Sequence, residues 1–246
     1  MNADRILDWR GPGPRLAARV WGRAAAPPAW LRGVAWATAP VNHSVLTRRV
    51  AARALPPPAP PLIVSLGNLR VGGTGKTPIA LDLIRRLGER GYRGVVVTRG
   101  HASPLRGPLR VEVANVRAGD EARLLAAVSP SWTVIQAADR VAGLALARSL
   151  APAVILLEDA HQSAGLPRHA DVLILDRWRV EDGEMVPLAG PLLPWGPYRE
   201  GPDGALRAAI WLVEGSPASG GPWPGVGGGG SRRSATPPVR SSRRGM

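Results

Sequence analysis

Between residues 61 and 215 the apolar positions come in short unbroken runs, separated by stretches in which they recur every three or four residues. The runs Leu62–Leu66, Gly94–Thr98, Arg110–Ala114, Trp132–Ile135, Val154–Leu157, Val172–Leu175 and Ala208–Val213 have the length and β-branched content of strands. Between them, Pro78–Arg90 sets Ile79, Leu83 and Leu87 on one helical face, and Asp120–Val128 and Arg140–Leu150 also read as helices. Strand and helix alternate, so the expected class is α/β: a parallel sheet flanked by helices.

Two flanks break this rhythm. Residues 1–60 mix nine Arg with Trp9, Trp21, Trp30 and Trp36 around apolar stretches such as Leu31 to Ala39, then run into the proline-rich link Pro56–Pro61. Basic, tryptophan-bearing helical pieces suit a membrane interface, with rings at headgroup depth and guanidinium groups on anionic lipid. Helices packed on the domain are the alternative. Residues 216–246 are Gly, Ser, Pro and Arg without an apolar period, and are expected to form a disordered tail or an out-of-frame end. The expected organisation is thus a basic segment over 1–60, an α/β domain over 61–215 and a tail over 216–246.

Charge sharpens this division. The formal net charge is +14, yet residues 61–215 carry 18 basic against 16 acidic side chains. The excess sits in the flanks, where nine Arg face only Asp4 and Asp8, and five Arg face no acid. A near-neutral centre without stacking aromatics argues against a nucleic-acid partner. No run of 18 apolar residues occurs and the first residues lack an apolar signal stretch, so neither spanning nor export is expected. Cysteine is absent, which excludes disulfides, thiolate metal sites and a cysteine nucleophile. Lys76 is the only lysine among 32 basic residues.

That lysine falls in Leu62-Ile-Val-Ser-Leu-Gly-Asn-Leu-Arg-Val-Gly-Gly-Thr-Gly-Lys-Thr-Pro78, a strand, a Gly-rich loop and the opening of a helix. This is the context of a P-loop NTPase-like fold. Arg70, Val71, Gly72, Gly73, Thr74 and Gly75 would wrap backbone N–H groups around phosphate oxygens, with the helix start adding its positive end. Lys76 would reach the β and γ phosphates and Thr77 would ligate Mg²⁺, the cofactors being ATP and magnesium. A compact ammonium suits that position better than a guanidinium. A strict version of the loop has glycine where this chain has Arg70. A second acidic group is needed near the metal, and Glu158 and Asp159 supply it at the carboxyl end of the strand Val154–Leu157. Gly119-Asp120-Glu121 is a third acidic candidate at a helix start, where carboxylates also serve simply as helix charges.

Taken with Thr98-Arg-Gly-His101, Asp139-Arg140, Glu158-Asp-Ala-His-Gln162 and Leu193-Pro-Trp-Gly-Pro-Tyr-Arg-Glu200, this ordered series resembles the tetraacyldisaccharide 4′-kinase family over roughly residues 40–215. That family phosphorylates a membrane-embedded acylated glucosamine disaccharide, and its P-loop also begins with a non-glycine residue. The resemblance implies nucleotide and metal roles for Lys76 and Thr77, and metal service by Glu158 and Asp159. It implies that Asp120 activates the sugar hydroxyl, and that Glu121, Arg140, Gln162, Arg199 and Glu200 line the site. It further implies an acylated disaccharide partner, a peripheral position on the cytoplasmic face of the bacterial inner membrane, and no protein partner.

This chain departs from the family in two places. Where the family usually has Asp-Asp-Gly-Phe-Gln, Glu158 is one methylene longer and Ala160 lacks glycine's freedom at positive φ. Family members also continue into a further α/β portion supplying a histidine that works with the aspartate, and the Gly/Ser/Pro/Arg stretch stands in that place here. None of His43, His101, His161 or His169 has a matching context; His101 and His161 are expected to be solvated or structurally bonded. The alternatives to an active kinase are a nucleotide-binding remnant without turnover and another P-loop phosphotransferase.

Overall fold

The computed structural model describes residues 56–72, 75–101, 103–128, 130–163, 165–181, 184–193, 196–213 and 234–235. The expected interfacial segment therefore falls almost wholly outside the described residues, as does the tail apart from Ser234–Ala235.

The chain order is β1 (Leu62–Asn68), α1 (Lys76–Glu89), β2 (Gly94–Thr98), β3 (Leu109–Arg110), α2 (Asp120–Val128), β4 (Thr133–Gln136), α3 (Arg140–Ser149), β5 (Val154–Glu158), β6 (Ala170–Leu175), β7 (Trp178–Glu181), β8 (Glu184–Pro187), a 3-10 turn (Pro202–Arg207), β9 (Ile210–Val213) and β10 (Ser234–Ala235). Eight strands form one sheet in the order β10-β9-β6-β1-β5-β2-β4-β3. The six inner strands are parallel, and the short outer strands β3 and β10 run antiparallel.

The unbroken apolar runs follow from burial on both faces. Along β2, Val95 and Val97 point to one side and Val96 to the other; along β5, Ile155 and Leu157 oppose Val154 and Leu156. On the first side α3 packs through Leu144 and Ala147. On the second, α1 packs through Ala80 and Ile84, and α2 through Ala122 and Leu125. Each fully buried Leu or Ile contributes about 1.5–3 kcal/mol of transfer free energy. A third cluster, around Trp178, Tyr198 and Trp211, closes the β6–β9 end, where Trp211 donates its indole N–H to Ala205 O at 2.9 Å.

The predicted strand Arg110–Ala114 survives only at its first residue. After Val111 donates to Val134 O at 2.8 Å, the chain turns through Asn115 N to Glu112 O at 2.9 Å, because the edge has one short neighbour to pair with. The β7–β8 hairpin is absent from the sequence reading, although Asp182-Gly183 between Glu181 and Glu184 is a strong two-residue hairpin signal.

Topology places the site. From β1 the chain passes beyond β5 to reach β2, and from β5 it passes beyond β1 to reach β6. The connections diverge at the carboxyl edge, which opens a crevice there. Register aligns Leu66 with Glu158, so the glycine loop and the acidic turn leave the sheet side by side.

Candidate functional site

Gly72 and Gly75 adopt φ of 106° and 72°, left-handed values that admit glycine readily. Gly75 is the N-cap of α1, and its carbonyl accepts the first helical bond from Ile79 N at 3.2 Å. No side chain caps this helix and no acid lies in its first turn. The helix α3 differs: Asp139 caps it by accepting from Val141 N at 2.9 Å and Ala142 N at 3.3 Å. Near Lys76, then, the local sequence leaves helix-start N–H groups for an anion, whereas at Asp139 it satisfies them internally. Gly73 and Thr74 lie outside the described residues, and Thr77 is half-buried in the first turn of α1.

Arg70 and Val71 brace the loop from the side. The Arg70 guanidinium donates to Asp176 and lies 5.4 Å from the centre of the Tyr198 ring, while Val71 N donates to Pro197 O at 2.8 Å. Arg199 N donates to Leu69 O at 2.8 Å, so residues 197–199 run along the root of the loop. The same backbone attachment brings the Arg199 side chain over the acidic turn.

There Asp159 receives two cations on one oxygen, Oδ1: Arg199 Nη1 at 2.9 Å and Lys76 Nζ at 3.5 Å. Burial alone would raise this carboxyl, but Lys76 and Arg199 outweigh it and hold the group below the usual aspartate value. Asp159 has φ of 51°, an αL conformation costing about 1 kcal/mol for a side chain of this kind. The residue needing that conformation is thus Asp159, and Ala160 is buried with ordinary backbone geometry. The sequence-based concern about Ala160 is misplaced by one position.

Glu158 is only 4% exposed and accepts Thr98 Oγ1–H at 2.8 Å. Burial pushes its carboxyl up, and the nearby Glu121 and Asp159 charges add to the rise. Gln162 donates to Asn68 O at 2.7 Å and to Glu200 Oε1 at 2.8 Å, and its own oxygen faces Arg199 Nη1 at 3.3 Å. Arg140 donates to Asp159 O at 2.6 Å and to Ser163 Oγ at 3.0 Å; burial lowers its pKa. Lys76, Glu158, Asp159, Gln162, Arg140, Arg199 and Glu200 therefore meet in one place.

Asp120 and Glu121 stand at the start of α2 and are exposed, Asp120 with 73% of its side chain in solvent and Arg123 Nη1 3.8 Å away. His101 is exposed. His161 is fully buried, its Nε2 2.9 Å from Gly204 O, and His169 bridges Ile63 N and Pro57 O at 2.9 Å each. His43 lies outside the described residues.

Sequence reasoning overlooks two buried polar residues. Gln136, at the end of β4, donates to Ser103 Oγ at 2.8 Å and Leu105 O at 2.7 Å, and accepts Gly119 N–H at 2.8 Å. It thereby ties the 100–119 connection to the sheet immediately before Asp120. Arg168 supports the acidic turn from below. The only cue for Gln136 is a polar residue interrupting an apolar stretch, and Arg168, between Pro167 and His169, has none.

The oxygen donors fit Mg²⁺ in one form. Among the described residues no three acidic or histidine side chains converge on a cation. A hard ion held by one or two protein oxygens, with phosphate and water completing its shell, is compatible with Asp159, Glu158 and Thr77. Among the described residues no helix is long and apolar enough to cross a membrane.

Known proteins resemble this chain in sequence and fold. Residues 30–223 match the family model of tetraacyldisaccharide-1-P 4'-kinase. The chain is 39% identical over 173 residues to tetraacyldisaccharide 4'-kinase of Rhodospirillum centenum, covering 69% of this chain and 49% of that protein. It is 34% identical over 184 residues to the Caulobacter vibrioides (strain NA1000 / CB15N) protein of the same name, covering 67% and 54%. It thus spans about half the length of these relatives. The crystal structure of "apo" form LpxK from Aquifex aeolicus in complex with ATP superposes with a TM-score of 0.56 at 28% identity, covering 73% of this chain and 58% of that one. A family match reaching from ahead of the first strand to beyond the last parallel one makes the chain a member of the tetraacyldisaccharide-1-P 4'-kinase family.

Proposed function

We propose that this chain carries the nucleotide half of an ATP-dependent kinase that phosphorylates the 4′-hydroxyl of a tetraacylated glucosamine disaccharide 1-phosphate. The carrying observation is Asp159 Oδ1, held between Lys76 and Arg199 beside an uncapped helix that follows a glycine loop. With nucleotide present, Lys76 exchanges the carboxylate for phosphate oxygens, and the loop and helix-start N–H groups hold the rest of the triphosphate tail. Thr77, Asp159 and Glu158 are the residues to hold Mg²⁺, which when bound supplies charge neutralisation on the phosphates. Asp120 accepts the proton of the sugar hydroxyl from the head of α2, with Glu121 beside it. Gln162, Arg140, Arg199 and Glu200 keep the acidic turn and its cations in place. The proposed organisation is a lipid-facing basic segment over 1–60, the kinase domain over 61–215 and a tail over 216–246. The first of these would hold the protein peripherally on the cytoplasmic face of the inner membrane, where the acylated substrate lies.

A second reading, nucleotide binding without turnover, is favoured by the solvent exposure of Asp120 and its ion pair with Arg123. Transfer of labelled γ-phosphate from ATP to the acylated disaccharide 1-phosphate in detergent micelles decides between them, with Lys76→Ala as control. Product that vanishes in the variant supports the kinase. Lys76-dependent ATP binding without product supports the second reading.

A further inference from the structure

The acidic turn from Glu158 to Ser163 is gripped by two guanidinium groups from different segments. Arg140, at the start of α3, donates to Asp159 O at 2.6 Å, approaches Glu158 O at 3.4 Å and reaches Ser163 Oγ at 3.0 Å. From below, Arg168 donates to Ala160 O, to Ser163 O at 3.0 Å and toward His161 O at 3.4 Å. Between them they engage the backbone oxygens of Glu158, Asp159, Ala160, His161 and Ser163. Arg168 is buried, with its Nε 3.3 Å from Asp171 Oδ1, and the Ser65 hydroxyl donates to that same oxygen. Ser65 and Asp171 are register partners on β1 and β6, so the base of the clamp is fixed to the centre of the sheet.

We propose that Arg168, anchored by Asp171 and Ser65, is a positioning residue for the phosphotransfer site. It holds the turn in the shape that presents the Asp159 carboxylate, at positive φ, toward Lys76. This deepens the kinase reading and rests on it. A planar fork with five donors satisfies several carbonyls at once, which a lysine ammonium on a flexible stem does not. A buried cation also needs a counter-charge, and Asp171 provides it without competing for the carbonyls.

The test uses the full chain as Arg168→Lys, which keeps the charge beside Asp171 and loses the fork, and Arg168→Ala with and without millimolar guanidinium. Two readouts are taken: amide hydrogen exchange by segment, and ATP affinity with and without Mg²⁺. Positioning predicts about tenfold or faster exchange across 158–163 with β1 unchanged, and loss of roughly ten- to a hundredfold in the magnesium-dependent part of ATP affinity. Magnesium-free affinity stays the same, and guanidinium restores Arg168→Ala. Unchanged exchange in the turn, exchange rising uniformly through the sheet, or a retained magnesium effect would each overturn the proposal. A wild-type chain that binds ATP without any magnesium effect would overturn the kinase reading and the positioning role together, while altered exchange confined to the turn would separately establish the clamp.

Discussion

Thr98, the last residue of β2, donates its hydroxyl to Glu158 Oε2 at 2.8 Å, across to the last residue of β5. Parallel pairing sets Val97 beside Leu157, so the two polar side chains that follow emerge together at the carboxyl edge. Glu158 is thereby joined to the strand that leads into Thr98-Arg-Gly-His101.

That buried carboxyl has a pH signature. Its native pKa lies above the ordinary value of 4.5, so the neutral form stabilises the fold. The contribution is complete below pH 4.5 and is lost as pH rises through the native value. In urea unfolding across pH 4 to 8, Glu158→Gln should gain on the wild type as pH increases. Parallel curves for the two proteins would refute the assignment.

His161 gives the opposite slope. Burial outweighs the Glu200 charge and lowers the ring from 6.5 to about 4, so the neutral imidazole stabilises the fold. The contribution is complete above pH 6.5 and disappears as pH falls toward 4, amounting to about 3 kcal/mol. His161→Gln, which retains an N–H for Gly204 O, should flatten acid destabilisation in thermal melts between pH 4 and 7. An unchanged acid limb would show that another group controls it.

Gln136→Leu removes two donors and an acceptor at once, leaving Gly119 N and Leu105 O without that partner. A cost of about 2–3 kcal/mol is expected. Since these bonds end one residue before Asp120, phosphate transfer should fall at least tenfold while ATP affinity stays constant. The check is a split of kcat against nucleotide KM, and an equal loss in both would place Gln136 elsewhere in the reaction.

Lys76→Arg preserves charge and changes shape. The bulkier fork should remain bound to Asp159, so ATP affinity should drop about as far as in Lys76→Ala while the melting temperature stays close to wild type. Isothermal titration beside a thermal melt measures both. Wild-type affinity in the arginine variant would show that any cation serves at this position.

What the sequence displays, and what it hides, follows from where each residue's partners come from. β2 and α2 are legible to the residue because their signals, a valine run and an acid-headed periodic helix, are local. The strand, glycine loop and Lys76 are legible for the same reason. Gln136 and Arg168 are not, because they act on backbone oxygens and amides contributed by distant segments, which no spacing along the chain announces. Ala160 shows the reverse error: a motif comparison flags the position that lacks glycine, whereas the backbone places the turn's left-handed residue at Asp159. The edge strand at Arg110 falls short because a period-two pattern signals strand even at the margin of a sheet, where only the short β4 lies alongside.

The pairing of β1 with β5 on one side and β6 on the other has a consequence for how the protein is made. Ser65 and Asp171, facing each other across β1 and β6, are separated by 106 residues of chain. During synthesis the central strand leaves the ribosome well before either neighbour exists, and its Leu-Ile-Val segment stays without a lateral partner until β5 has emerged and with one edge open until β6 follows. The most deeply placed strand of the finished sheet is therefore the one longest open to chaperones and to self-association in the nascent chain.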